Sequence, residues 1–541
     1  MKPFWSSERI LKRCEFGAAI LLTLALVTLH IVFFVHAGPL WRDEISSLTL
    51  ATKPTLSEFW KSLPLDPSPA SYFLFLRLWH AIGLGESDLG LRGLGLLIGL
   101  GLIGALWFSC YLIDQSPPLW PLTLFAFNPL ALEGGDSLRP YGLALIWITL
   151  AFGFIWRITF GEFGKWTILF TLIAALLSVQ TLFMNAFVLF AIGIGAGVVL
   201  LKRKRWRALL LVIAIGAIAA LSVLFFRLIQ ETQGWGHVIG SRNDVTGAIA
   251  VADDAIADGG AIARWAWLLL GGGSLLSFVL AIPARPAAIV DLKRDRALFA
   301  GATMFVAIFT TIMFFSTAGV VFPRYFLLAL AIIALSIHVF WSALPSHVAT
   351  RMLSLGLASF VATTSIYPLH ERAHMRMTNC DMIANLLEQR VSRDDLIVVT
   401  TLFYGVSFQR YYHGEAEWLA VPPVADFSLE RWDLLKQALA QPDPVPEIVS
   451  RLETVLRNGH KVFLVGKLGP PPAEQPEPLP PAPQSEFGWE LEPYLAQWKS
   501  ELAFWIEHHA VHGNELPIDN SQTVNSLEHL GAFEVSGWRE R

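Results

Sequence analysis

Long apolar runs recur along the chain up to about residue 375, separated by short polar turns, and the texture then changes. A membrane-crossing helix needs about 20 predominantly apolar residues. By that measure the runs at 14-36, 89-113, 117-133, 138-156, 165-183, 185-201, 206-228, 262-282, 298-317, 324-343 and 350-367 predict about eleven spans. Within loop 37-88, "ISSLTLATKPTLSEFWKSL" has amphipathic helical spacing, and "SPASYFLFLRLWHAIG" is apolar but short. Both read as helices lying along the interface rather than crossing it. Beyond residue 375, "DDLIVVTTLFY" (394-404) and "HKVFLVGK" (460-467) read as strands, while "SLERWDLLKQALA" and "VPEIVSRLETVLRNG" have helical spacing. "GPPPAEQPEPLPPAPQ" (469-484) can be neither helix nor central strand. The pattern predicts a mostly α polytopic bundle over 1-374 and a soluble α/β domain over 375-541.

Composition agrees with a membrane protein. The 541 residues are 54% hydrophobic and 16% charged, with a mean hydropathy of +0.52, against about 25% charged in soluble domains. The net charge of -4 selects no partner by itself. Cys14, Cys110 and Cys380 show no metal-ligand or redox spacing. The run from Cys14 is too long for a signal-peptide core and reads as a retained helix.

Charge placement then orients the bundle. Lys2, Arg9, Lys12 and Arg13, the turn from Arg157 to Lys165, "LKRKRWR" (201-207) and "DLKRDR" (291-296) fall on one side if the helices alternate. Cytoplasmic loops carry that excess, so the N-terminus is expected inside and the tail outside, in a multi-pass cytoplasmic (inner) membrane protein. "LKRKRWR" lacks the aromatic interleaving of a nucleic-acid site. "VADDAIADGGAIARW" (251-265), with Asp253, Asp254 and Asp258, reads as a solvated loop cluster.

The outer loops are acidic or mixed, and the first begins "LWRDEISS", with Arg42, Asp43 and Glu44 just past the first span. Carboxylates under interfacial helices suit a substrate with one end in lipid and the other in water. "LWRDEISSLTLA…DPSPASYFLFLRLW", "NPLALEGGDSLRPYGLALIWITLA" (128-151) and "FPRYFLLALAIIAL" (322-335) together resemble the GT-C glycosyltransferases. The branch resembled is the bacterial protein-mannosyltransferase and aminoarabinose-transferase-like family. Its members typically read W-x-D-E, D-x-H-P-P-x-Y-Y, an E-A-R-P-Y-type stretch and P-R-Y in this order.

The resemblance implies transfer of a sugar from a polyprenyl-phosphate donor to a hydroxyl of a lipid, glycan or protein acceptor, with inversion. It implies Asp43 as general base assisted by Glu44, and Arg139 and Arg324 as holders of the donor phosphate. Tyr141, Tyr325, Asp66 and Asp136 would support them. A phosphate leaves as a stabilised anion, so one base with cations suffices where an alkoxide would need an acid as well. The resemblance implies no particular cofactor and leaves a divalent metal open. The chain departs from the pattern at Ser68, where the family often has His, and at Ser137, where it has Glu. Gln180 and Asn185 stand where a histidine is often found. Two other readings are a transporter or flippase of lipid-linked sugars and a catalytically inactive assembly partner. A transporter predicts paired halves and mid-membrane charges, whereas the acids here sit at the outer lip.

Overall fold

The computed structural model describes residues 4–225, 243–281, 290–344, 347–485, 488–519 and 521–540. The chain is mostly helical, with one five-stranded sheet near its C-terminus. Among the described residues, eight helices are long and apolar enough to cross a membrane. They are Ile10–His36, Asp88–Asp114, Pro140–Phe160, Asn185–Lys202, Trp206–Leu224, Leu292–Phe315, Pro323–Ala343 and Val348–Ala373. Lys165–Thr181 and Ala261–Leu276 are apolar but shorter. Residues 226–228 and 282, the ends of two expected spans, lie outside the described residues.

The expected span 117-133 takes a different form. It is a π-turn segment, Pro121–Ala126, followed by a separate helix, Pro129–Asp136. Pro129 accounts for the break: it has no N–H to donate and forces the preceding Asn128 to be extended. Asn128 Oδ1 accepts the Leu130 N–H and caps the new helix, while its amide donates to Ala255 O.

The basic turns expected on one side do meet at one end of the bundle. Arg205 donates to Thr159 O and Gly161 O, and Lys202 and Arg203 both pair with Asp295. At the other end lie three helices of the first loop, Arg42–Ala51, Leu56–Ser62 and Ala70–Ala81. The chain enters them through Gly38, whose φ of +67° is a left-handed conformation that glycine adopts without strain.

Among the described residues seven strands follow: β1 (Leu396–Val399), β2 (Glu417–Ala420), β3 (Val462–Val465), β4 (Gln484–Ser485), β5 (Gly488–Trp489), β6 (Ala510–Glu515) and β7 (Ala532–Trp538). The main sheet runs β2-β1-β3-β7-β6, and β4 and β5 form a separate hairpin. β1 pairs in parallel with β2 and β3, with Leu396 opposite Glu417 and Val462, whereas β7 is antiparallel to β3 and β6. β1 and β3 are buried along their whole length, which is why they read as unbroken apolar runs. The expected strand 394-404 ends at Val399, and "LFYGVSFQRY" is instead the helix Leu402–Tyr411. That helix leaves the sheet to place Val406 beside Ile45 and Leu48 in a small core shared by the first loop and the C-terminal region.

Candidate active site

The Arg42–Ala51 helix starts at Trp41, and its first turn carries Asp43 and Glu44, where carboxylates favour the exposed amides and the dipole. The two acids diverge. Glu44 turns inward and is fully buried, with Oε1 accepting from Arg92 Nη1 at 2.7 Å and from Leu138 N at 3.0 Å. Its Oε2 accepts the Trp41 N–H, the return bond of a capping box. Arg92 spends its other donors on Gly38 O and Pro39 O. Glu44 therefore lies away from the open cavity and ties together the first loop, the Asp88–Asp114 helix and the segment before Pro140.

Asp43 faces a cavity of about 510 Å³. Its Oδ2 is 3.4 Å from Arg324 Nη2 and its Oδ1 is 3.6 Å from Arg42 Nε. Burial works against its charge, but the guanidiniums of Arg324, Arg139 and Arg42 outweigh that and hold it below the usual carboxylate range. Arg42 and Arg324 both lie over the Trp41 ring, at 5.8 and 5.6 Å from its centre.

Two proline steps aim the other arginines. Arg139 precedes Pro140 and is held extended, at φ -123° and ψ 160°, outside the helix that Pro140 opens. Its Nη1 donates to Asp66 Oδ2 at 2.9 Å, Ser47 Oγ at 2.8 Å and Asp43 O at 3.1 Å. Pro323 likewise opens the turn that carries Arg324 and Tyr325. The Tyr141 and Tyr325 rings stack at 6.2 Å and line the cavity beside these arginines. Asp43, Asp66, Arg139, Tyr141, Arg324 and Tyr325 thus converge from four segments distant in sequence.

The roof comes from residues beyond 400. Phe403, Leu429, Glu430, Trp432 and the stretch Glu490–Pro493 also line the cavity, with Phe403 and Glu430 against Arg42. Glu430 Oε1 lies 3.0 Å from Arg42 Nε, and its backbone N–H donates to Ser46 Oγ. Burial and the neighbouring Asp43 charge push Glu430 up to about 7 against the pull of Arg42. Behind Arg42, the buried Glu528 accepts the Arg42 N–H and the Thr378 hydroxyl, and burial raises it to about 7 as well. Sequence reasoning did not find these two acids, because nothing local in "FSLERWDLL" or "NSLEHL" distinguishes them from surface charges. Arg92 had a signal, an ionisable residue inside an apolar helix.

Asp136 is not part of this cavity. Its carboxylate is buried against His30 Nδ1, at 2.7 and 2.9 Å, and the fit leaves no room for a side chain at Gly99. Ser68 is buried near Asp66, and Ser137 Oγ donates to Gly134 O. Gln180 donates to Ser222 Oγ, and Asn185 donates to Ser178 O and Ala144 O, where two helices meet. Of the acids in 251-265, Asp253 and Asp254 lie in the helix Val245–Ala257 rather than a loop; Asp253 pairs with Arg264, and Asp258 pairs with Arg372, which also holds Glu133. Among the described residues, no group of three His, Cys, Asp or Glu side chains is arranged to ligate a metal. Asp66 faces Arg139 and Asp43 faces Arg324 instead. Among the described residues, Asp66 Oδ1, Arg139 Nε and Trp41 Nε1 are buried without a hydrogen-bond partner.

No protein-family model matches the sequence, and no curated protein matches it. Solved structures do match in fold. ArnT from Cupriavidus metallidurans, bound to undecaprenyl phosphate, gives a TM-score of 0.51 at 13% identity over 82% of this chain and 92% of that one. The Archaeoglobus fulgidus oligosaccharyltransferase, in complex with zinc and sulfate, gives 0.46 at 12% identity over 83% and 68%. ArnT is an aminoarabinose transferase of the GT-C fold, and the chain described here has that fold.

Proposed function

We propose that the chain is a membrane glycosyltransferase that moves a sugar from a polyprenyl-phosphate donor to a hydroxyl of a lipid, glycan or protein acceptor. The observation that carries this reading is the convergence of Asp43, Arg139 and Arg324 in one cavity at the end of a GT-C bundle. In this reading 1-374 is the membrane module, 375-541 is an extracytoplasmic domain, and the cavity opens at the outer face.

The acceptor oxygen attacks the anomeric carbon while its proton passes to the Asp43 carboxylate. The bond from that carbon to the phosphate oxygen breaks, and polyprenyl phosphate leaves with the electron pair. Arg139 and Arg324 meet the growing phosphate charge, for which the guanidinium fork is suited. Direct displacement inverts the anomeric centre.

Free Asp43 is a weak base because the arginines hold it charged. A bound phosphate draws on those same guanidiniums, so donor binding would raise the basicity of Asp43 when it is needed. This supports one carboxylate acting alone, with Glu44 as the residue that seats its helix.

The reading is tested by incubating the purified protein with polyprenyl-phosphate sugars and following release of polyprenyl phosphate. Release coupled to a glycosylated product is expected. Binding and transbilayer movement of the donor without cleavage would favour the transporter reading.

A further inference from the structure

The less exposed charges on the cavity wall are three arginines and three carboxylates. Arg42, Arg139 and Arg324 face Asp43, Asp66 and Glu430. Glu490 and Glu492 also line it, but they are exposed at the mouth, where water screens them. Glu430 is the member contributed by the C-terminal region, and its side chain is 19% exposed. It shares Arg42 Nε with Asp43, at 3.0 Å against 3.6 Å, so two carboxylates crowd one guanidinium. Arg139 and Asp66 add their fields from the floor. Adjacent Arg431 is turned away to Asp426 and Asp433. Glu528 lies behind Arg42, outside the cavity, with Tyr404 on the same side.

With all three carboxylates ionised, this wall is neutral, and a sugar phosphodiester would bring an uncompensated negative charge into a largely buried space. With Glu430 neutral, the wall carries one positive charge, which matches a phosphodiester. After transfer Asp43 holds the acceptor proton, the wall carries two positive charges, and the departing phosphate monoester carries close to two negative ones. A protonated Glu430 therefore keeps the site balanced before and after the bond breaks.

We propose that Glu430 enters the donor complex as a neutral carboxylic acid and is a donor-binding residue whose proton is available to the phosphate. The proposal rests on the glycosyl-transfer reading above. Its upward-shifted titration agrees with the crowding at Arg42.

The test is calorimetric titration of the purified full chain with undecaprenyl phosphate in two buffers of different ionisation enthalpy, which counts protons taken up on binding. Above neutral pH, wild type takes up one proton more than Glu430→Gln, while Glu528→Gln matches wild type. Wild-type affinity falls relative to Glu430→Gln by about tenfold per pH unit above the Glu430 titration. Equal proton uptake in wild type and Glu430→Gln overturns the proposal. Absence of binding by wild type overturns the lipid-phosphate reading itself, and this proposal with it. If Glu430→Gln does not fold, the infrared difference spectrum of wild type on adding undecaprenyl phosphate decides, with Glu430→Asp shifting the band to assign it. Growth of a protonated-carboxyl band supports the proposal, and its absence overturns it.

Discussion

Arg139 and Arg324 reach the cavity by different routes. Arg139 is locked by three hydrogen bonds from a single nitrogen, whereas Arg324 leans over the Phe322 ring at 4.6 Å and touches Asp43 more loosely. The planar fork matters to both, since a lysine offers a point charge without bidentate geometry. Arg324→Lys is therefore expected to raise the donor KM about tenfold or more, a loss of one charge-assisted hydrogen bond. Arg139→Lys is expected to lower kcat as well, because it releases Asp66, Ser47 and the backbone of Asp43 together. Steady-state kinetics with varied donor separates the two.

The Arg42–Ala51 helix is the element on which the site depends, and its seat is Glu44. Glu44→Ala leaves Arg92 buried without its counter-charge, and breaking such a pair costs about 3–5 kcal/mol. Thermal unfolding in detergent should show that loss, while Glu44→Gln, which keeps an acceptor for Leu138 N–H, should lose less. At this scale much was legible beforehand. Asp43, Arg139 and Arg324 were picked out by the order of three short stretches that resemble a known family, and proline beside each arginine explains in retrospect how it is aimed. The helices of the first loop were visible from their spacing. What could not be read was direction. Asp43 and Glu44 are neighbours with the same chemistry, and only the packing of Arg92 and Leu138 sends one inward and the other to the cavity. Asp136 is a similar case: it stands beside the R-P-Y stretch in sequence, yet His30, a hundred residues away, takes its carboxylate. The break at Phe127 and Asn128 did carry a signal, Pro129, which the apolar residues on both sides of it outweighed.

At the scale of the whole molecule, the C-terminal region is part of the cavity rather than an appendage: Phe403, Leu429, Glu430 and Trp432 line it, and Glu528 holds Arg42 from outside it. Glu430 and Glu528 were invisible in sequence, since their partner lies nearly four hundred residues or more upstream. Glu528 also makes the docking pH-dependent. Its carboxyl titrates near 7 when folded against 4.5 ordinarily, so the folded state holds the proton longer. That contribution to stability is present below about 4.5 and is lost as pH rises through about 7. Wild type should thus lose thermal stability relative to Glu528→Gln over that window. The expected orientation has its own test in spheroplasts. Glu490→Cys should react with a membrane-impermeant thiol reagent, and Lys204→Cys should react only after permeabilisation. The reverse pattern would place the cavity inside.

The central claim is that Asp43 takes the proton of the acceptor, and one comparison tests it most directly. Turnover of a polyprenyl-phosphate sugar by wild type and Asp43→Asn is measured beside undecaprenyl phosphate binding by each. The account predicts that binding survives while turnover falls by about 10²–10⁴, the usual contribution of a positioned general base. Turnover by Asp43→Asn within a few-fold of wild type would contradict it.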